Sequence, residues 1–327
     1  MNGPLVVTFE LGERHRPEIA AALGDAGDIV YLTDLPPHAR AQALSSASVV
    51  LARNTGKELQ PHEPALLAHA KLIQFMTAGV DYIPLDQLPP NVPVACNGGA
   101  YAETMAEHAV AMALAAAKRL RVEQDALKRG EFNQFTSNKM LAGGVFGVFG
   151  FGGIGIATAR LMRSFGMRVH AINRRGASEE PTDWIGTSAH LDELLAASDV
   201  LLVSTPLTRA TNGAIGAREL GQMKEDAILI NLARGEIIDE AALYAHLQAH
   251  PRFSACIDAW WIEPVRHGEF RMDFPFLDLP NVIGSPHNSA SSDRSLSIAL
   301  ARAVANCRRA LTDQAPLHLI GPDERAV

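Results

Sequence analysis

The chain has 327 residues and 47% hydrophobic content, too long for one small core and apolar enough to fill two α/β domains. A net charge of −7, with no run of five or more Lys or Arg, argues against nucleic acid and makes small molecules the expected partners. Cys96, Cys256 and Cys307 stand far apart without a CxxC pair, which reads as buried thiols in a reducing, cytoplasmic setting; no metal site is expected.

Met1–Glu10 lacks a basic leader, and its apolar run "PLVVTF" reads as a first strand and not a signal peptide. Strands are predicted at Leu5–Phe9, Ile29–Leu32, Val49–Ala52 and Leu72–Phe75, with helical stretches such as "RPEIAAAL" and "PALLAHA" between them. That is one small α/β unit. From Tyr101 to Arg129 runs one long helical pattern, alanine-rich enough for another backbone to pack closely, which reads as a domain connector.

Met140–Ala159 carries no charge over twenty residues, but seven of them are glycine, so a turn between strand and helix is expected there in place of a membrane span. A second series of strands follows near Val145–Phe149, Arg168–Ile172, Val200–Val203, Ala227–Asn231, Ala255–Asp258 and Val282–Gly284. The last helix, Ser291–Leu311, is placed back on the first domain. The expected fold is therefore α/β, with two Rossmann-like or flavodoxin-like domains built on parallel sheets. The nucleotide domain (101–288) is inserted into a substrate domain (1–100 and 289–327).

Within the second series, Gly150-Phe-Gly152-Gly153-Ile154-Gly155 fits G-x-G-x-x-G. Its glycines permit a tight turn, close approach of a pyrophosphate and close helix packing. Alone the pattern is weak. Here it follows the strand "GVFGVF" and opens the amphipathic "IGIATARLMRSFG", and the next strand, "RVHAIN", ends 18 residues after the last glycine. At that strand end an acidic residue would hold the ribose hydroxyls of NAD, whereas Asn173, Arg174 and Arg175 suit a 2′-phosphate. NADP(H) is the expected cofactor, with NAD(H) as the secondary one.

The stretches "VSTPLTRATNGAIGARELGQMKEDAILINLARGEIIDEAAL", "IDAWWIEP" and "LPNVIGSPHNSA" resemble the D-isomer-specific 2-hydroxyacid dehydrogenases; "MTAGVDYIPLD" and "ETMAEHAVAMALA" resemble their N-terminal domain and connecting helix. The resemblance implies a catalytic trio of Arg234, Glu263 and His287, in which Glu263 orients His287 and favours its protonated form. It implies further cofactor contacts at Thr205, Pro206, Ala233 and Asp258, and a substrate-carboxylate loop at Ala78, Gly79 and Val80 working with Arg234 and His287. A homodimer is also implied.

The chemistry is consistent with this assignment. Reducing a 2-keto acid needs a cation for the carboxylate, a proton donor for the carbonyl oxygen and a hydride held against the carbonyl carbon. Glyoxylate and hydroxypyruvate are the leading substrates. Formate oxidation is disfavoured because those relatives typically carry glutamine where Glu263 stands; phosphite oxidation and a nucleotide-sensing or co-repressor role on the same fold are the remaining rivals to reduction. Two features depart from the family pattern: a long segment, "PVRHGEFRMDFPFLD", with Arg266, His267 and Arg271, and the bulky Trp260–Trp261 pair, which is expected to narrow the pocket.

Overall fold

A computed structural model of the chain describes residues 3–321, so the outermost parts of the expected first domain, 1–2 and 322–327, lie outside the described residues. The chain divides into two compact units, Met1–Tyr101 with Ser292–Val327, and Ala102–Ser291.

The first unit contains β1 (Leu5–Val7), α1 (Arg16–Leu23), β2 (Ile29–Tyr31), α2 (Pro37–Ser46), β3 (Val49–Ala52), α3 (Thr55–Glu58), β4 (Leu72–Phe75) and β5 (Val94–Ala95). All five strands are parallel, in the order β2-β1-β3-β4-β5. The central strands are buried at every position. Alternate residues feed two cores: Leu5, Val7, Val49, Leu51 and Leu72 enter one, and Val6, Val50, Ala52, Ile73 and Phe75 the other. This two-sided burial is why these strands read as continuous apolar runs instead of alternating ones.

The second unit contains α4 (Ala102–Ala117), α5 (Leu120–Lys128), β6 (Val145–Phe149), α6 (Gly153–Ser164), β7 (Arg168–Ile172), β8 (Trp184–Gly186), α7 (Leu191–Ala197), β9 (Val200–Val203), α8 (Ala217–Leu220), β10 (Ile228–Asn231), α9 (Glu240–Ala249), β11 (Ser254–Ile257), α10 (Pro264–His267) and β12 (Val282–Gly284). Its seven strands are again all parallel, in the order β12-β11-β10-β9-β6-β7-β8. After β6 the chain builds outward through β7 and β8, then returns to lay β9 on the other side of β6. Strand order therefore reverses between β6 and β9, the place where open parallel α/β sheets receive ligands beyond the carboxyl ends of their strands.

The last helix, α11 (Ser295–Leu311), belongs to the first unit. It buries Ala299, Leu300, Ala303, Val304, Cys307 and Leu311, spaced by one, three or four residues along one face, in the core that also holds Leu5 and Leu51. Buried Asn306 on the same helix donates to the Gln74 side chain at 2.6 Å.

Three local expectations are revised. The Tyr101–Arg129 stretch is two helices, broken at Arg119, which adopts a left-handed φ of 54°. A continued helix would bond the Ala117 carbonyl to its own next turn; here the backbone N–H of Lys139 takes it at 3.0 Å, and Lys118 Nζ donates to the Lys139 carbonyl. Strands β5 and β8 are additional, and at two and three residues they are too short to leave a pattern. Cys96 is only half-buried, whereas Cys256 and Cys307 are fully buried and all three are free. Burial pushes the Cys256 thiol up to about 12. Among the described residues, no helix is long and apolar enough to cross a membrane.

On α9, His246 stacks on His250 with ring centroids 4.1 Å apart and meets the edge of Phe253. Burial, with a smaller contribution from the charge of His250, pushes the His246 imidazole down from 6.5 to about 4. The folded state thus favours neutral His246, while the unfolded chain binds a proton below about 6.5. This contribution to stability is complete above that pH and is lost as pH falls towards 4. Urea unfolding at pH 7 and pH 4.5 should show a smaller acid-induced loss in His246→Phe than in the unaltered protein; identical losses would remove His246 as the source.

Candidate functional site

The glycine turn occupies the reversal point. Gly150, at φ 107°, follows β6, and a Cβ there would lie 2.3 Å from the backbone nitrogen of Thr205. Ser204 Oγ donates to the Gly150 carbonyl at 2.9 Å, which ties the loops after β6 and β9 together. A Cβ on Gly155 would meet Val148 at 2.7 Å and the Gly150 carbonyl at 2.8 Å, so that glycine lets α6 pack against its own strand. Gly152 differs: a Cβ there would meet nothing within 4 Å, and its backbone faces open space at the start of α6.

The first helical bond of α6 runs from the Ile156 N–H to the Gly152 carbonyl, so the N–H groups of Gly153, Ile154 and Gly155 precede the ladder. Three free donors beside an open glycine at a helix N-terminus fit a dinucleotide pyrophosphate. Thr205 is half-buried and Pro206 exposed beside this turn, and the Pro206 carbonyl is held by Thr211 Oγ1 at 2.7 Å.

After β7, Asn173 closes a turn upon itself. Its Oδ1 accepts from the Arg175 N–H at 3.0 Å, its Nδ2 donates to the Ala177 carbonyl at 2.9 Å, and Gly176 supplies a left-handed φ of 62°. The Asn173 amide is therefore engaged by the loop, and Arg174 and Arg175 stand exposed upon it.

The chemical trio lies at the ends of β10, β11 and β12. After β10, buried Asn231 accepts from the Ala233 N–H at 3.0 Å and donates to the Arg234 carbonyl at 2.9 Å, fixing the turn from which the Arg234 side chain leaves. Sequence reading passed over Asn231, although an asparagine at a strand end is a turn former. Gly235 comes next, and a Cβ there would lie 2.5 Å from both Trp260 C and Trp261 N. The loops after β10 and β11 are in backbone contact at that point.

Glu263, 7% exposed, places both carboxylate oxygens 2.8 Å from His287 Nδ1 and accepts the Trp260 N–H at 2.7 Å. Burial pushes this carboxyl up, but the hydrogen bond and charge of His287, the Trp260 N–H and the charge of Arg234 together hold it below the ordinary carboxylate value. An anion beside Nδ1 makes that nitrogen the proton-bearing one and turns Nε2 outward as the group that can give or take a proton. Arg234 is near enough for its charge to act on Glu263, so the structure brings the three residues into one electrostatic group.

Asp258 follows β11 with its side chain 0% exposed. Its carboxylate accepts from the Ser285 hydroxyl and from the N–H groups of Asn288 at 3.1 Å and Ser289 at 3.2 Å, and its carbonyl accepts the His287 N–H at 3.0 Å. Sequence resemblance implies a cofactor contact for Asp258; the contacts it makes here are with the loop that carries His287.

The two tryptophans make their contacts within the second unit. Trp260 is 4% exposed and donates its Nε1–H to the Ser285 carbonyl at 2.8 Å, while Trp261 stacks on Phe276 and donates to the Ile238 carbonyl. Trp260 lies in the core of the second unit, and Trp261, partly buried, packs against it. In the long segment, Arg266 pairs with Glu236 at 2.6 Å, His267 Nδ1 accepts the Glu263 N–H at 3.0 Å, and Arg271 pairs with Asp273.

In the first unit, the turn Ala78-Gly79-Val80 follows β4. The N–H groups of these three residues donate to no described residue, while Asn97 Nδ2 and the Tyr101 hydroxyl both donate to the preceding Met76 carbonyl. Three unpaired backbone donors suit an anion.

The model of the D-isomer specific 2-hydroxyacid dehydrogenase NAD binding domain matches residues 110–289. The chain is 32% identical over 272 residues to glyoxylate/hydroxypyruvate reductase B of Pectobacterium atrosepticum, covering 81% of this chain and 82% of that protein. It is 35% identical over 225 residues to D-3-phosphoglycerate dehydrogenase of Archaeoglobus fulgidus, covering 68% of this chain but only 42% of that longer protein. Among solved structures, a glycerate dehydrogenase related protein from Thermoplasma acidophilum matches with a TM-score of 0.66 and 28% identity, over 94% of this chain and 99% of that one.

The contact at Gly235 gives a direct test of the site's architecture. Gly235→Ala should lower unfolding stability in urea by about 1–3 kcal/mol, because the new methyl must displace the Trp260–Trp261 backbone. Unchanged stability would mean that the two loops separate freely.

Proposed function

The chain belongs to the D-isomer specific 2-hydroxyacid dehydrogenase family, and from that premise we propose that it is an NADPH-preferring reductase of small 2-keto acids of the glyoxylate and hydroxypyruvate class. As a member, it is an NAD(P)-dependent oxidoreductase acting on CH–OH groups. The observation that carries the finer reading is the His287–Glu263 pair: a ring anchored through Nδ1 on a buried carboxylate, with Nε2 left for chemistry.

When bound, the reduced nicotinamide supplies the hydride. Protonated His287 gives its Nε2 proton to the keto oxygen as that oxygen becomes a hydroxyl, and Glu263 stabilises the charged ring until the proton leaves. In the oxidative direction neutral His287 takes the hydroxyl proton back at Nε2. Arg234 binds the substrate carboxylate through its planar fork. Ala78, Gly79 and Val80 are assigned to substrate binding on their unpaired N–H groups.

For the cofactor we assign Gly150, Gly152, Gly153, Ile154 and Gly155 to the pyrophosphate, Asn173, Arg174 and Arg175 to the adenosine ribose end, and Thr205, Pro206, Ala233 and Asp258 to the rest of the nucleotide site. The two arginines and the absence of a carboxylate among Asn173–Arg175 support NADPH over NADH. Coverage of 82% of the glyoxylate/hydroxypyruvate reductase against 42% of the phosphoglycerate dehydrogenase favours the small 2-keto acids as substrates. A cytoplasmic homodimer completes the proposal; free Cys96, Cys256 and Cys307 support the compartment, and exposed Phe132 (77%) and Phe135 (92%) support an apolar contact surface.

Two experiments test this reading. His287→Ala should reduce kcat by about 10²–10⁴-fold with nucleotide Kd nearly unchanged, whereas Arg234→Ala should act mainly on KM for the keto acid. In the unaltered enzyme, reduction should weaken with rising pH and oxidation should strengthen over the same range, because reduction consumes a proton and oxidation releases one. Near-normal turnover by His287→Ala would remove the assignment.

The second concerns the cofactor. Each charge-assisted bond to a 2′-phosphate contributes about 1.5–3 kcal/mol, roughly one to two decades in binding. NADPH should therefore show the higher kcat/KM at low salt, and Arg174→Ala with Arg175→Ala should erase most of the preference through KM for NADPH. Equal efficiency of NADPH and NADH in the unaltered enzyme would refute the preference.

A further inference from the structure

His287 has a backbone φ of 50°, in the left-handed region that a non-glycine residue enters only when its surroundings hold it there. Its anchors can be traced. Buried Asp258 takes the N–H groups of Asn288 and Ser289 with its carboxylate and that of His287 with its carbonyl, and the Ser285 hydroxyl closes on the same carboxylate. Residues on both sides of His287 thus hang from one anion.

That anion has no Arg or Lys partner among the described residues; the side chain that comes within ion-pair distance is His108 of α4, whose Nε2 lies 3.9 Å from Asp258 Oδ1. The closer contact of His108 Nε2 is with Ser285 Oγ, at 3.0 Å. The direction of each bond follows from the donors present. An ionised carboxylate only accepts, so the single Ser285 proton goes to Asp258, Ser285 Oγ must accept, and His108 Nε2 must carry the hydrogen. The chain of donation therefore runs from His108 to Ser285 to Asp258.

The helix is placed to do this. Cys256 of β11, two residues before Asp258, lies with its Sγ 3.6 Å from the carbonyl of Met112, one turn after His108 on α4. His108 is half-buried, its side chain 27% exposed. We propose that His108 is a positioning residue for His287, holding the Ser285–Ser289 loop in its left-handed conformation by fixing the Ser285 hydroxyl on Asp258. This role rests on reading His287 as the proton donor.

The test uses the full chain and four variants: His108→Leu, His108→Gln, Ser285→Ala, and the double variant His108→Leu with Ser285→Ala. Glutamine carries an amide N–H near the position of His108 Nε2, so it can restore the bond without the ring. In reduction of glyoxylate and hydroxypyruvate with NADPH, His108→Leu should lose about tenfold in kcat, with KM for keto acid and cofactor held within about twofold, because a displaced loop misaligns His287 without removing a binding group. His108→Gln should return to within about threefold of the unaltered enzyme, and the double variant should be no worse than the poorer single one, as members of one chain are not additive.

The His287 Nδ1–H resonance in the proton–nitrogen spectrum supplies a readout independent of turnover. It should shift or broaden in His108→Leu and Ser285→Ala and recover in His108→Gln. Unchanged kcat and resonance in His108→Leu, failure of His108→Gln to recover while folded, or additive losses in the double variant would each overturn the proposal. Should His108→Leu fail to fold, Ser285→Ala and His108→Gln carry the same comparison. If the unaltered enzyme reduced neither keto acid, the functional reading would fail while the resonance still decided the positioning.

Discussion

The reversal of strand order between β6 and β9 is the constraint from which the site in the second unit follows. Two neighbouring parallel strands whose chains leave in opposite directions open a crevice at their carboxyl ends, and the loops that border it must approach each other closely. Gly150 meets that requirement because only a missing side chain lets its backbone stand beside Thr205. Once that contact is made, α6 starts with unbonded N–H groups beside the open backbone of Gly152, and the strands on the β9 side deliver Asn231, Asp258 and the His287 loop to the same edge of the sheet.

Two buried carboxylates then divide the labour around His287. Glu263 addresses the ring: its oxygens face Nδ1, and its partners keep the carboxyl below its usual titration range. Asp258 addresses the backbone on either side of that ring. The division has a physical logic. An anion on the ring tunes proton transfer, whereas an anion satisfied by hydroxyl and amide donors makes a fixed anchor that can offset the cost of a left-handed histidine.

Much of this was legible in the sequence because parallel strands buried on both faces leave largely apolar runs: β3, β4, β6 and β9 have the ends that this pattern marks, and β7, with its exposed Arg168, has the expected ends as well. The glycine turn was legible because its spacing encodes close approaches, and Arg234, Glu263 and His287 because their contexts resemble one family. What escaped had no local signature. The break at Arg119 depends on the Lys139 N–H reaching the Ala117 carbonyl from twenty-two residues away, a contact that propensity in an alanine-rich helix does not register. Ser285 and His108 matter through hydrogen bonds to residues distant in sequence, and a serine or histidine taken singly reads as ordinary surface or packing.

The tryptophan pair shows how bulk in a sequence can mislead about a pocket. Two indoles between Asp258 and Glu263 read as walls against large substrates; the Trp260 ring is buried in the core of the second unit, and Trp261, partly buried, packs against that core. Trp260 runs beneath Gly284, where a Cβ would lie 2.9 Å from its ring, and its Nε1–H holds the Ser285 carbonyl. Its backbone N–H meanwhile bonds Glu263. One residue thus touches both the loop that carries His287 and the carboxylate that orients it, and a large, rigid ring suits that task because it has few rotamers to lose on burial. The Trp260 ring therefore braces the loop that carries His287, while its backbone holds Glu263.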